Sequence, residues 1–342
     1  MIRPTMSEPT PSETSRESLF GFLLTGKTTI LIVLLLLVLV FGITAPGFLS
    51  LISISNILVT TSLFLLLALG ETFVMISGGI DLSVAAMLAL SGMVAGAVLQ
   101  FHNGTDVGLS IVGFFLAVIT GVVGGALNGA TIIFLRLNPL IVTLGTYGIF
   151  GGLAEIISHG NPVSNFPSFI FTIGNGGPVF PYPVWITFVI VIVFAWVAKR
   201  TRFGRYTYAV GANREAVRRS GVNLRLHSVV LYAVAGLAAG LAGFLSLAHF
   251  QTASPVAGSS DLLIAVAAVV IGGTPLTGGE GSVWGTVIGA LVISVLENGF
   301  VMLNVSSFWQ LVAVGITTIL AVYFDEIQKR ARLYRASLHH DA

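Results

Sequence analysis

Ten apolar stretches, at about residues 28–45, 54–77, 82–100, 107–135, 139–158, 183–199, 228–248, 261–275, 283–303 and 308–324, set the pattern of this chain. A helix needs about 20 apolar residues to cross a bilayer, and most of these stretches reach or approach that length. The pattern predicts an all-α membrane protein, a polytopic bundle of about ten transmembrane helices. The eighth stretch is short and runs into a Gly/Pro/Thr segment, so at least one broken or re-entrant segment is expected. The first stretch follows Lys27, ends at Pro46 and is longer than a signal-peptide core, and therefore reads as a membrane helix. The expected organisation is a disordered cytoplasmic tail over residues 1–27, a transmembrane domain over 28–326 with a long cytoplasmic loop at 199–228, and a cytoplasmic tail over 327–342.

Composition agrees with that pattern. Hydrophobic residues make up 55% of the chain and charged residues 9%, against about 25% charged in a soluble domain. Cysteine is absent, which excludes disulfides, zinc-thiolate sites and a cysteine nucleophile. A net charge of +2 gives no reason to expect nucleic acid, and the placement of the charges carries more information than their sum. With ten spans starting inside, all 16 Lys and Arg residues fall on the cytoplasmic side. They are Arg3, Arg16 and Lys27, then Arg136, then eight from Lys199 to Arg225, then Lys329, Arg330, Arg332 and Arg335. Because basic loops stay inside, this predicts both termini in the cytoplasm.

Gly21 to Thr28 spells G-x-x-x-x-G-K-[ST]. That motif cradles phosphates only between a buried strand and a soluble helix, and here a polar tail precedes it and an apolar stretch follows. Any ATP hydrolysis should therefore belong to another polypeptide, and no cofactor is expected on this chain. The sequons at Asn103 and Asn304 are too short to signify. No nucleophile/base pair or metal cluster stands out, since His102, His159, His227, His249, His339 and His340 are scattered mostly in joints. No catalytic residue and no metal ligand is assigned.

Acids in or beside the apolar stretches are Glu71, Asp81, Glu155, Asp261, Glu280 and Glu297. An ionisable group in a bilayer is costly unless it faces the interior, water or a partner. Asp81 follows Gly78 and Gly79 and precedes Ser83, and its first expectation is an N-cap of the third helix. A place in a gate is compatible with that role. The run Gly272, Gly273, Thr274, Pro275 should be unwound, and Gly272 to Thr277 echoes Gly78 to Ser83 in the pattern G-G-x-x-L-[ST]. Gly78, Gly79, Asp81, Ser83, Asn138, Thr143, Gly272, Gly273 and Asn298 are the candidate translocation-pathway or gate residues. The small-residue series Gly121, Gly125, Gly129 and Ala235, Ala239, Gly243 predict close helix packing. In the basic loop, Asn213 to Ser220 has the period of a short helix ended by Gly221, suited to anionic lipid or to a partner protein.

Four stretches together resemble the permease subunit of bacterial ABC sugar importers of the ribose type. They are SGGIDLSVAAMLALSG from Ser77, LNPLIVTLGTYGIFGGLA from Leu137, TRFGRYTYAVGANREAVRRSGVN from Thr201 and AAVVIGGTPLTGGEGSVWGTVIGALV from Ala267. The resemblance implies a permease homodimer, a cytoplasmic ABC ATPase that carries ATP and magnesium, and a periplasmic sugar-binding protein as partners. It also implies that Asn213, Glu215, Ala216 and Gly221 belong to a coupling helix seated in the ATPase. Two departures stand out. Gly151 follows Phe150 where the family often has an arginine, and Leu262 and Ile264 replace two family acids, with Asp261 just upstream. A pentose, hexose or polyol is the expected substrate; another small polar solute, a self-contained secondary transporter and a membrane enzyme are the other readings.

Overall fold

The computed structural model of this chain describes residues 26–101, 103–320 and Tyr323. The first helices in chain order are α1 (Gly26–Thr44), α2 (Leu51–Ile76), α3 (Val84–Leu99), α4 (Val107–Leu135) and α5 (Pro139–Ser158). A two-residue strand β1 (Val163–Ser164) and a short helix α6 (Ser168–Asn175) follow. Next come α7 (Tyr182–Arg200), α8 (Arg202–Arg219), α9 (Leu224–Phe250) and strand β2 (Thr252–Ala253). The last are α10 (Asp261–Ile271), α11 (Val283–Met302) and α12 (Ser307–Leu320). Each of the ten apolar stretches coincides with a helix. Six of the described helices, α2, α4, α5, α7, α9 and α11, are long and apolar enough to cross a membrane, while α1, α3, α10 and α12 are shorter apolar helices.

The bundle is apolar inside and out. Side chains such as Leu66, Phe73, Met87, Met93 and Phe244 are fully buried, whereas Leu35, Leu39, Ile141, Leu144, Phe188 and Trp196 are exposed on α1, α5 and α7. An apolar exterior this extensive has hydrocarbon as its natural solvent. With lipid and core equally apolar, close backbone approach supplies the packing, and α9 is the post around which it happens. Gly121 and Gly125 of α4 lie directly against Gly236 and Tyr232 of α9, and a Cβ on either would strike those carbonyl oxygens. Ala235 meets Gly70 of α2, and Gly243 meets Leu88 and Gly92 of α3. The two small-residue series foreseen from sequence thus serve different partners. Helix α1 is held separately by Phe41, which packs with Phe48 and, edge to face at 5.9 Å, with Phe300.

Three features depart from the sequence expectation. The basic loop holds, besides the short helix expected from Asn213, a helical piece before it; the two together make α8, whose backbone breaks at Asn213 (φ −159°, ψ 92°). The first part is rich in arginine and tyrosine, so no apolar stripe announces it. Helix α6 and the antiparallel pair β1–β2, with Val163 opposite Ala253 and Ser164 opposite Thr252, tie together two joints at the end of the bundle remote from α8. Neither is long enough to leave a period in the sequence. Residues 1–25, including Gly21 to Thr25 of the phosphate-loop pattern, and the tail over 327–342 lie outside the described residues.

Candidate translocation and coupling site

Helix α2 ends at Ile76 because Gly78 takes φ +81°, a conformation glycine enters without penalty. The chain then crosses the bundle as residues 77–83 before α3 begins. Asp81 is 2% exposed and its Oδ1 accepts from the backbone N–H of Ser83 at 2.9 Å and from Ser83 Oγ at 2.6 Å. This corrects the N-cap expectation: the N-cap is Ser83, whose side chain makes no cap bond. Helix α3 starts two residues later than an Asp81 cap requires, and the carboxylate closes a local turn instead. The backbone N–H of Asp81 donates to Glu71 Oε1 at 3.2 Å, and Asn128 Nδ2 donates to Ser83 Oγ at 2.7 Å. Glu71 and Asn128 are fully buried.

Around this knot stand Tyr232, 2% exposed, beneath Gly79, and Thr143, whose Oγ1 donates to the carbonyls of Pro139 at 2.9 Å and Ile80 at 3.3 Å. Asn138 caps α5 by accepting from the N–H of Leu140 at 2.9 Å. Gly78, Gly79, Asp81, Ser83, Asn138 and Thr143 therefore gather at one end of the bundle. Asn298 does not join them. It lies near the remote end and accepts from Ser53 Oγ at 2.9 Å. Glu155 and Glu280 are exposed.

The second interrupted segment, residues 272–282, meets the first directly. Gly279 N–H donates to the carbonyl of Ile76 at 2.8 Å, and a Cβ on Gly278 would lie 2.6 Å from the backbone nitrogen of Gly78. Gly272 abuts Gly285 and Thr286 of α11, and Thr286 shares a 2.8 Å hydrogen bond with Thr72 of α2. The sequence echo between the two segments corresponds to a physical junction.

Helix α8 is keyed into that junction. Gly211 packs against the carbonyl of Ile76 and the nitrogen of Gly279, with no room for a Cβ, and Gly279 in turn abuts Ala212. Tyr208 Oη donates to the carbonyl of Gly281 at 3.0 Å, and burial raises the phenol above its ordinary value, so it keeps its proton at neutral pH. Beyond the break, Asn213 Oδ1 accepts from Ala216 N–H at 3.0 Å, a helix N-cap that opens the last turns of α8. Glu215 Oε1 accepts from Arg218 at 2.7 Å and Arg219 at 3.2 Å, all three on the surface. Those hydrogen bonds hold the Glu215 carboxyl below its ordinary value. Gly221 follows at φ +83°, with open space around it. Beyond the break, Asn213, Glu215, Ala216 and Gly221 thus make a capped, solvent-facing helical stub, mounted on a rod that touches both interrupted segments.

Sequence reasoning singled out Glu71 as an acid in need of a partner without placing it in the site, and passed over Asn128, Tyr232, Tyr208 and Gly211. Asn128 carried a usable signal, being an amide inside the apolar stretch 107–135. Tyr208 and Gly211 carried none, because their role exists only once α8 is folded against the junction.

A chain with an intramembrane polar knot, two interrupted segments and a surface helix wired to both has the parts of a membrane permease. The chain belongs to the family of branched-chain amino acid transport system permease components, whose profile matches residues 53–322. It is 42% identical over 296 residues to the ribose import permease protein of Bacillus subtilis, covering 85% of this chain and 90% of that one. It is 38% identical over 324 residues to the D-allose transport system permease protein of Escherichia coli K12, covering 92% and 97%. The L-arabinose transport system permease protein of the same organism is 33% identical over 303 residues, covering 88% and 91%. No solved structure gives a significant match.

Proposed function

We propose that this chain is the transmembrane subunit of an ATP-driven sugar importer in a bacterial inner membrane, with ten spans and both termini in the cytoplasm. A separate ATPase binds ATP and magnesium, and a periplasmic binding protein delivers the sugar. The single observation that carries the reading is the wiring of α8: a capped surface helix continuous with Gly211, which is locked between Ile76 and Gly279. A stub that projects from the basic end and is rooted in both interrupted segments converts a push from outside the membrane into a movement of the path within it. Names of the relatives favour a pentose or hexose over the amino acid of the family description. The basic residues on the α8 side support a cytoplasmic position for that end. Two copies suit the molecule because α5 presents Gly145, Gly148, Gly151 and Gly152, where an added Cβ would meet nothing beyond its own helix within 4 Å, a surface open to close approach by another helix.

Co-expression with the ATPase and binding protein encoded beside it, followed by uptake of labelled ribose, allose, arabinose and leucine, tests this. ATP-dependent uptake of at least one sugar, with the ATPase co-purifying, is the expected result. Leucine uptake alone, or sugar uptake by the isolated chain driven by an ion gradient, would replace it with an amino acid importer or a secondary transporter respectively.

A further inference from the structure

At the end of the bundle remote from α8, an open cavity of about 430 Å³ lies between α2, α3, the end of α9 and the start of α10. Thr60, Phe64, Ser246, His249, Ser254 and Asp261 are among its lining residues. A second cavity of about 450 Å³ between α4, α6, α7 and α9 is walled mainly by Ile111, Phe114, Phe169 and Phe244, as a lipid-facing hollow should be. The polar lining of the first requires another explanation, since hydroxyls, imidazole and carboxylate are expensive at the edge of a bilayer unless water or a polar ligand meets them.

Asp261 is placed there by the backbone. Gly258, at φ +72°, turns the chain, and the carbonyl of Gly258 accepts from the Asp261 N–H at 2.8 Å. Helix α10 therefore starts at the cavity. The Asp261 carboxylate lines the cavity and accepts no hydrogen bond from another described residue. The two positions where the resemblance implies acids are Leu262 and Ile264, and Ile264 is buried in the core; Asp261 alone brings an acid to this rim. His249 is fixed by a 3.3 Å contact between Nδ1 and the carbonyl of Gly174, which leaves Nε2 for other work. No lysine or arginine lines the cavity.

An ionised carboxylate only accepts hydrogen bonds, and sugar hydroxyls donate them in charge-assisted form. A phenyl face such as that of Phe64 suits the C–H side of a pyranose or furanose ring. Ligand pockets run from roughly 300 to 1,000 Å³, so this one suits a single monosaccharide. Phe64 and Glu71 are seven residues apart on α2 and share a face about 10 Å apart along the axis; Leu67 and Ala68, both fully buried, close the floor between them.

Resting on the sugar-importer reading above, we propose that this vestibule is a monosaccharide site of the permease itself. Asp261 and His249 receive the hydroxyls, Phe64 receives the ring face, and the unpaired Asp261 carboxylate rejects anionic sugars such as uronates. The absence of native cysteine makes the test direct. Ala257→Cys, on the cavity wall, is assembled with the ATPase and binding protein in proteoliposomes and treated with membrane-impermeant thiol reagents of opposite charge. The cationic reagent should react at least about threefold faster than the anionic one. The sugar that the wild-type system takes up, delivered on its binding protein, should slow both. Asp261→Asn should lower uptake about tenfold, with ATP turnover still stimulated by the loaded binding protein, and should erase the charge preference. Labelling indifferent to sugar, or Asp261→Asn uptake within about twofold of wild type, overturns the vestibule while the importer stands. A wild-type complex that moves no sugar sinks the importer reading and the vestibule with it.

Discussion

The glycines of α4 and α5 both recur at helical spacing, and only those of α4 have another helix packed against them. In α4, Gly121, Gly125 and Gly129 meet the backbone of α9 so closely that a Cβ would strike it. In α5, Gly145, Gly148, Gly151 and Gly152 face open space, and that helix is mostly exposed along its length. Both patterns follow one rule, that a helix without side chains on one face can be approached closely. The first seam is closed within the chain; the second is open in it, as the proposed second copy requires. Where Gly211 of α8 meets the junction of Gly78, Gly278 and Gly279, the rule extends to segments that are not helical, in which those three glycines also supply the positive φ that the turns need.

The sharpest way to break this comparison is Gly125→Leu. Its side chain would run into the Tyr232 carbonyl, and we expect a loss of about 3 kcal/mol, read as a collapse of folded yield and thermal stability in detergent. An unaltered melting temperature would contradict the seam. Asp81→Ala comes next. It leaves the N–H and hydroxyl of Ser83 without their acceptor, costing about 1–3 kcal/mol and lowering transport more than membrane insertion. Asp81→Asn, which keeps the acceptor oxygen, should lose less, and equal losses would argue against the hydrogen-bond account.

Asn213→Ala removes the cap of the surface stub, worth about 1 kcal/mol, and should weaken ATPase co-purification about fivefold while the permease reaches the membrane in normal amounts. Because hydrogen bonds to Arg218 and Arg219 depress the Glu215 carboxyl, its contribution is complete above the ordinary carboxylate range. That contribution is lost only as pH falls through the lowered value. Co-purification should therefore be flat between about pH 6 and 8, and a decline across that window would assign Glu215 another partner. Gly148→Leu should be the mildest, within about 0.5 kcal/mol in thermal stability, yet it should reduce dimer cross-linking. A large stability loss would place α5 inside the protomer.

Much of the fold was legible because apolar length is a strong signal. Every apolar stretch became a helix, and the interrupted eighth stretch ended at Ile271, before Gly272 and Gly273. What escaped was either short or polar. Strands of two residues leave no period, and the first turns of α8 read as an arginine-rich joint because their function is to touch backbone through Gly211 and Tyr208. The candidate site was legible in part. Asp81, Ser83, Gly78 and Thr143 were named and do gather, whereas Asn298 was named and sits at the remote end beside Ser53. A polar residue in an apolar stretch announces that it needs a partner, and not where that partner is.

The central claim is that α8 drives the path through Gly211. The direct test is sugar transported per ATP hydrolysed by the Gly211→Val permease, assembled with its ATPase and binding protein in proteoliposomes. The capped stub beyond Asn213 is untouched by this change, so the complex should assemble and hydrolyse ATP. Because the valine cannot fit between Ile76 and Gly279, the ratio should fall at least about tenfold. An unchanged ratio in a complex that assembles normally would contradict the account.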